Sequence, residues 1–109
     1  MIKVIVYKNK EHIDAFKISG HANSGPYGYD LVCAGVSAVS FGAVNAVIEL
    51  CEIDLKIDQA GDGGYLFVEI PAFLPEEKQR KTTLILEAMI VSLQTIEREY
   101  SEFIQISIQ

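Results

Sequence analysis

The stretch LVCAGVSAVSFGAVNAVIELC, Leu31 to Cys51, decides how the rest of the chain is read. It carries no charge until Glu49, and a helix that is apolar all round belongs inside a protein, so the expectation is a buried central helix. Ala34, Gly35, Ser37, Ala38, Ser40, Gly42, Ala43 and Ala46 are small and let another backbone come close. Its glycines and β-branched residues are poor helix formers, so tertiary packing must hold it. The chain's two cysteines, Cys33 and Cys51, fall near opposite ends of this helix. A helix of that length spans roughly 27 Å, far beyond the ~7 Å Cα separation a disulfide tolerates. They are read as separate thiols.

Upstream, IKVIVYK (2–8) has the β-branched alternation of a strand, and NKEH supplies a turn. IDAFKISG (13–20) follows, alternating through Ile13, Ala15 or Phe16, and Ile18, so the two form a hairpin. Downstream, EIDLKIDQA (52–60) alternates Ile53, Leu55 and Ile57 with charge, and GDGG turns into YLFVEI as a second hairpin. Pro75 at a first helical position, followed by Glu76 and Glu77, starts a second helix running to about Tyr100. Leu86, Met89, Leu93, Ile96 and Tyr100 form its apolar stripe. FIQISIQ closes the chain as a strand. The order ββαββαβ predicts an α+β two-layer sandwich, a mostly antiparallel sheet with two helices, as one domain over residues 1–109.

Half of the 109 residues are apolar, enough for one core but not two. Fifteen acidic against nine basic residues give a formal net charge of −6, which repels nucleic-acid phosphates. The basic cluster of Lys78, Arg80 and Lys81 adjoins Glu76 and Glu77 and reads as a solvated helix face. The opening MIKVIVYKNK is too short in its apolar run for a signal sequence. No stretch approaches ~18 continuous apolar residues, so no membrane partner is expected; the acidic charge gives no expectation of direct nucleic-acid binding, and the expected compartment is the cytoplasm.

Chemistry concentrates in GHANSGPYGYDLVCAGVS, residues 20–37. Asp30 precedes the helix and suits its N-cap. Cys33 then lies in the first turn, where helix-end amides and the helix dipole favour a thiolate. Ser37 follows one turn later on the same face. His21 ends a strand on whose sheet the helix must pack, and a contacting imidazole can activate a thiol and protonate a leaving amine. Helix-start amides could hold an oxyanion. The plainer readings stand beside these: cysteine as a small buried hydrophobe, His21 as a turn residue, Asp30 as a cap only. Cys51, at the helix end the dipole makes hostile to a thiolate, reads as a core residue, and His12 as solvated. The loop with Gly25, Tyr27, Gly28 and Tyr29 is either a surface turn or a flap over an extended peptide. No metal is expected, because the cysteines and histidines lack zinc-site spacing. The loop also lacks a phosphate-binding fingerprint.

Gly20, His21 and Ala22, then Gly28, Asp30, Cys33, Ala34 and Ser37, match G-H-A, a short loop, then G-x-D-x-x-C-A-x-x-S. On these residues, and over essentially its whole length, the chain resembles the bacterial ribosomal-processing cysteine proteases, the Prp family. The resemblance implies a Cys-His dyad endopeptidase that removes a short N-terminal extension from large-subunit ribosomal protein twenty-seven. It implies a cytoplasmic homodimer without metal or organic cofactor. Carried over by position, Cys33 is the nucleophile and His21 the base, with Asp30 and Ser37 at supporting positions. A basic ribosomal substrate agrees with the acidic balance of the chain. Two other classes compete: a non-enzymatic ribosome-associated module gripping a peptide in the same groove, and a thiol redox sensor, which the lack of a nearby resolving cysteine disfavours.

Overall fold

The structure, a computed structural model, describes residues 1–22, 30–61 and 64–109. Along the chain run β1 (Ile2–Asn9), β2 (His12–Ser19), α1 (Leu31–Cys51), β3 (Lys56–Gln59), β4 (Tyr65–Glu69), α2 (Glu76–Glu99) and β5 (Ile104–Ile108). This is the expected ββαββαβ order of an α+β fold. The strands form one five-stranded sheet in the order β3-β4-β2-β1-β5. Neighbours are antiparallel except β1 and β5, which run parallel. A parallel partner needs a long crossover, and α2 provides it.

The uneven alternation of β2 has a structural cause. Tyr7 faces Ala15 but Lys8 faces Ile13, so Asp14 is an extra residue, a β-bulge. The bulge resets the phase, so that Ile13, Phe16 and Ile18 all join the core while Ala15, though buried, does not. The Asp14 carbonyl accepts a hydrogen bond from the Ile70 N–H at 2.9 Å, which ties the bulge to the end of β4. The core then runs from Val4 and Val6 of β1 through Phe16 and Val68 to Leu86 and Leu93 of α2 and Val47 of α1.

Helix α1 differs from its expectation. Only Val32, Val36, Ser40, Val44, Val47 and Cys51 are buried. Leu31, Phe41, Ile48 and Leu50 are exposed, Leu31 at 73% and Leu50 at 69%. In a two-layer arrangement the sheet covers one side of α1 and α2 one flank, and nothing among the described residues covers the rest. Ser40 is a polar member of the buried face whose hydroxyl donates to the Val36 carbonyl at 2.7 Å, so its burial leaves no polar atom unsatisfied. By length and composition alone α1 could cross a membrane, with a mean hydropathy of 2.0. The sequence holds no run of ~18 continuous apolar residues, because Ser, Gly and Asn interrupt this one, yet they lower its average hydropathy little. In the fold its buried face lies in the core.

The other departures are small. Pro75 is the N-cap of α2 and not its first residue. The buried stripe of α2 comprises Thr82, Leu86, Met89, Ile90 and Leu93, with Ile96 half-buried and Tyr100 exposed at the C-cap. Strand β3 keeps only four residues of the predicted nine-residue run, all exposed, because it is a sheet edge. Lys81 pairs with Glu77 one turn away on the exposed face of α2, while Lys78 reaches across to donate to the Glu52 carbonyl at the end of α1.

Candidate active site

The site is built where the C-terminal end of β2 meets the first turn of α1. Asp30 caps α1: its carboxylate accepts the Cys33 N–H at 3.0 Å, and its carbonyl accepts the Ala34 N–H at 3.1 Å. The sequence expectation for Asp30 therefore holds as a cap. Cys33, third residue of the helix, is half-buried, and its Sγ accepts the Ala22 N–H at 3.2 Å. A backbone donor aimed at sulfur, beside the helix N-terminus, is the surrounding a thiolate prefers. Because Asp30 engages the amides of Cys33 and Ala34, an oxyanion at this helix start would have to compete for them.

The residue before Ala22 is His21, so the amide that meets the sulfur belongs to the histidine's chain neighbour, and both His21 and Cys33 line the same cleft. His21 is exposed, and its backbone is held from both flanks. The Met1 ammonium donates to its carbonyl at 2.6 Å, and the preceding Gly20 N–H donates to the Gly64 carbonyl at 2.9 Å. Gly20 turns the chain with φ +92°, and a Cβ there would run into the Met1 carbonyl. Only glycine meets both demands.

Cys33, His21 and Ser37 line one cleft of about 230 Å³ between α1 and the β3–β4 hairpin. The structure thus gathers these three sequence candidates, with Asp30 behind the cysteine. Gly25, Tyr27, Gly28 and Tyr29, and the flap they were read as, lie outside the described residues. Cys51 is buried in the core at the far end of α1, as its sequence position suggested, and the two cysteines are separate thiols. Among the described residues no group of three or more His, Cys, Asp or Glu is placed to hold a metal ion.

The second hairpin is what sequence reasoning missed. Gln59, Ala60, Gly64 and Tyr65 form the opposite wall, and Phe41 extends the α1 wall one turn past Ser37. GDGG carries a turn signal only. That the turn faces His21 depends on β4 pairing with β2 from Ala15–Glu69 to Ser19–Tyr65, which no local pattern encodes. The wall is mixed: apolar Phe41, Tyr65 and Leu66 alternate with Ser37, Ser40 and Gln59. A cleft of this kind suits an extended peptide, with apolar contact area and a few polar groups to orient it.

Known proteins match the chain over nearly its whole length. Residues 1–105 match the family described as cysteine protease Prp. The ribosomal processing cysteine protease Prp of Bacillus subtilis (strain 168) is 45% identical over 108 residues, covering 98% of this chain and 96% of that protein. Its namesake from Staphylococcus aureus (strain NCTC 8325 / PS 47) is 43% identical over 108 residues, covering 98% of each. Among solved structures, an essential ribosomal processing protease Prp from S. aureus with a covalently linked product peptide superposes with a TM-score of 0.89 at 42% identity, covering 100% of both chains. The S. aureus protease with a substrate peptide gives 0.83 at 39% identity, again over 100% of both. The match runs from end to end in both sequence and fold, and this chain belongs to the cysteine protease Prp family.

Proposed function

We propose that this protein is the endopeptidase that removes the short N-terminal extension of large-subunit ribosomal protein twenty-seven, with Cys33 as nucleophile and His21 as its acid-base partner. The observation that carries the reading is the Ala22 N–H on Cys33 Sγ, which holds the sulfur next to the residue bearing the imidazole inside a peptide-sized cleft. The naming of close relatives as ribosomal processing proteases supports the substrate class, and the covalently linked product peptide of the S. aureus relative is the kind of adduct a nucleophilic side chain forms.

The chemistry follows from these positions. With the proton on the imidazole, the Cys33 thiolate adds to the scissile carbonyl carbon, forming a C–S bond and moving the carbonyl electrons onto oxygen. Collapse of that tetrahedral species breaks the C–N bond, and the imidazolium proton goes to the departing amine. A thioester remains. Water attacks it while neutral His21 takes a proton, the C–S bond breaks, and thiolate and imidazolium are restored. Asp30 serves by holding the first turn of α1, and Ser37 by lining the peptide's path. The non-enzymatic binding module raised by the sequence gives way to membership of a peptidase family.

The decisive experiment incubates ribosomal protein twenty-seven, with its native extension, with the wild type and with Cys33→Ala, and reads both by mass spectrometry. One cut at the end of the extension, made by the wild type alone, is expected. An intact substrate in the presence of folded, reduced wild type would refute the assignment. The reading extends to a cytoplasmic homodimer, where a ribosomal substrate would be met. Light scattering on the purified protein should give twice the 12.1 kDa chain mass, and a single chain mass at micromolar concentration would remove the dimer.

A further inference from the structure

Gly64 stands at the exit of the β3–β4 turn with φ +78°, a left-handed conformation that glycine adopts without penalty. It also faces the His21 ring. A Cβ on Gly64 would lie 2.6 Å from His21 Nε2 and 3.0 Å from Cε1, well inside the ~3.5 Å at which such atoms touch. The Gly64 carbonyl accepts the Gly20 N–H at 2.9 Å, so the bond joining this turn to the end of β2 is made one residue before the histidine. Elsewhere in the same turn, Gly61 has nothing within 4 Å of where its Cβ would be. The crowding is therefore a property of Gly64 and not of the hairpin.

We propose that Gly64 is a positioning residue for His21: its bare Cα is the seat on which the imidazole rests, and its carbonyl fixes that seat to the strand end carrying the ring. The inference rests on His21 being the acid-base partner of Cys33. The turn beside the end of β2 thereby sets where the proton-transfer atom sits relative to the sulfur. A methyl group on the seat must push the ring aside, and misplacement of a reacting group by about 1 Å can cost roughly 100-fold in rate.

The test compares Gly64→Ala, Gly64→Asn, Gly61→Ala and His21→Ala, all with Cys51→Ala so that Cys33 is the only thiol. Asparagine tolerates the left-handed backbone but still brings a Cβ, which separates the seat from backbone strain. Expected for both Gly64 variants is a kcat about 100-fold lower with KM changed less than threefold. The pH profile of Cys33 alkylation by iodoacetamide should move toward that of His21→Ala, and Gly61→Ala should match the parent. If Gly64→Asn keeps parental kcat and alkylation profile, the seat is refuted, since strain alone then explains Gly64→Ala. If His21→Ala keeps parental activity, the acid-base assignment itself fails. In the unsubstituted protein, a nuclear Overhauser contact between the Gly64 Hα and the His21 ring protons is expected. Its absence overturns the seat however the variants fold.

Discussion

Cys33 and Cys51 share one helix and have opposite surroundings. Cys33 opens into the cleft with backbone amides around it, whereas Cys51 is 3% exposed in the core. Cys33→Ala should abolish cleavage while shifting the thermal midpoint by no more than a few degrees. Cys51→Ala should retain cleavage and lose about 1 kcal/mol of stability, the order expected for removing one buried heavy atom. Paired activity and urea-unfolding measurements check both. Asp30 lends itself to a similar separation. Asp30→Ala removes the acceptor for the Cys33 N–H and should cost about 1 kcal/mol. Asp30→Asn keeps a capping oxygen and should stay near wild-type stability, so any activity lost in Asp30→Asn at unchanged stability reports on the carboxylate charge and not on the cap.

At the scale of elements, α2 separates its faces cleanly. Leu86 is fully buried against the sheet side of the core, and Leu84, two residues earlier, is 71% exposed. Leu86→Ala should cost 2–5 kcal/mol, the cavity-forming range, and Leu84→Ala should stay within about 0.5 kcal/mol. Denaturant midpoints give the comparison directly. Helix α1 is less polarised, because its exposed side carries Phe41, Ile48 and Leu50 as well as small residues. Its N-terminal turn contributes the cysteine and its second turn the wall of the cleft, so the same element that fills part of the core presents the proposed nucleophile. The Asp14 bulge has a comparable double consequence. By resetting the phase of β2, it puts Ile18 in the core and also lines the cleft with it, two residues before the glycine turn that leads to His21.

For the whole molecule, charge enters through the approach of substrate. The chain carries −6, and the proposed substrate is a basic ribosomal protein, so long-range attraction should speed encounter at low ionic strength and fade as the Debye length shrinks from about 10 Å at 0.1 M toward 3 Å at 1 M salt. The expected result is a kcat/KM that falls several-fold over that range with kcat nearly constant. A short neutral peptide substrate should show no such fall. Measuring both substrates in one salt series distinguishes steering from a general effect of salt on the cleft.

Much was legible in the residues themselves. Alternation, turn residues and helix-start chemistry announced the ββαββαβ order, the Asp30 cap, and Cys33 at the head of an apolar helix following His21, because those signals are local and act within a few residues. The sequence left three matters to the tertiary structure. It could not tell that α1 is covered on one side only, since an apolar composition does not say how many layers a fold has. Nor could it tell which of Ala15 and Phe16 enters the core, since that depended on a bulge set by the register against β1. Last, it could not tell that the second hairpin walls the cleft and brings Gly64 against His21, since pairing β4 with β2 joins segments far apart in the chain. Local propensity and spacing set each element. The neighbours of His21 were decided by long-range strand pairing, which costs chain entropy to form and leaves no periodic trace in the sequence.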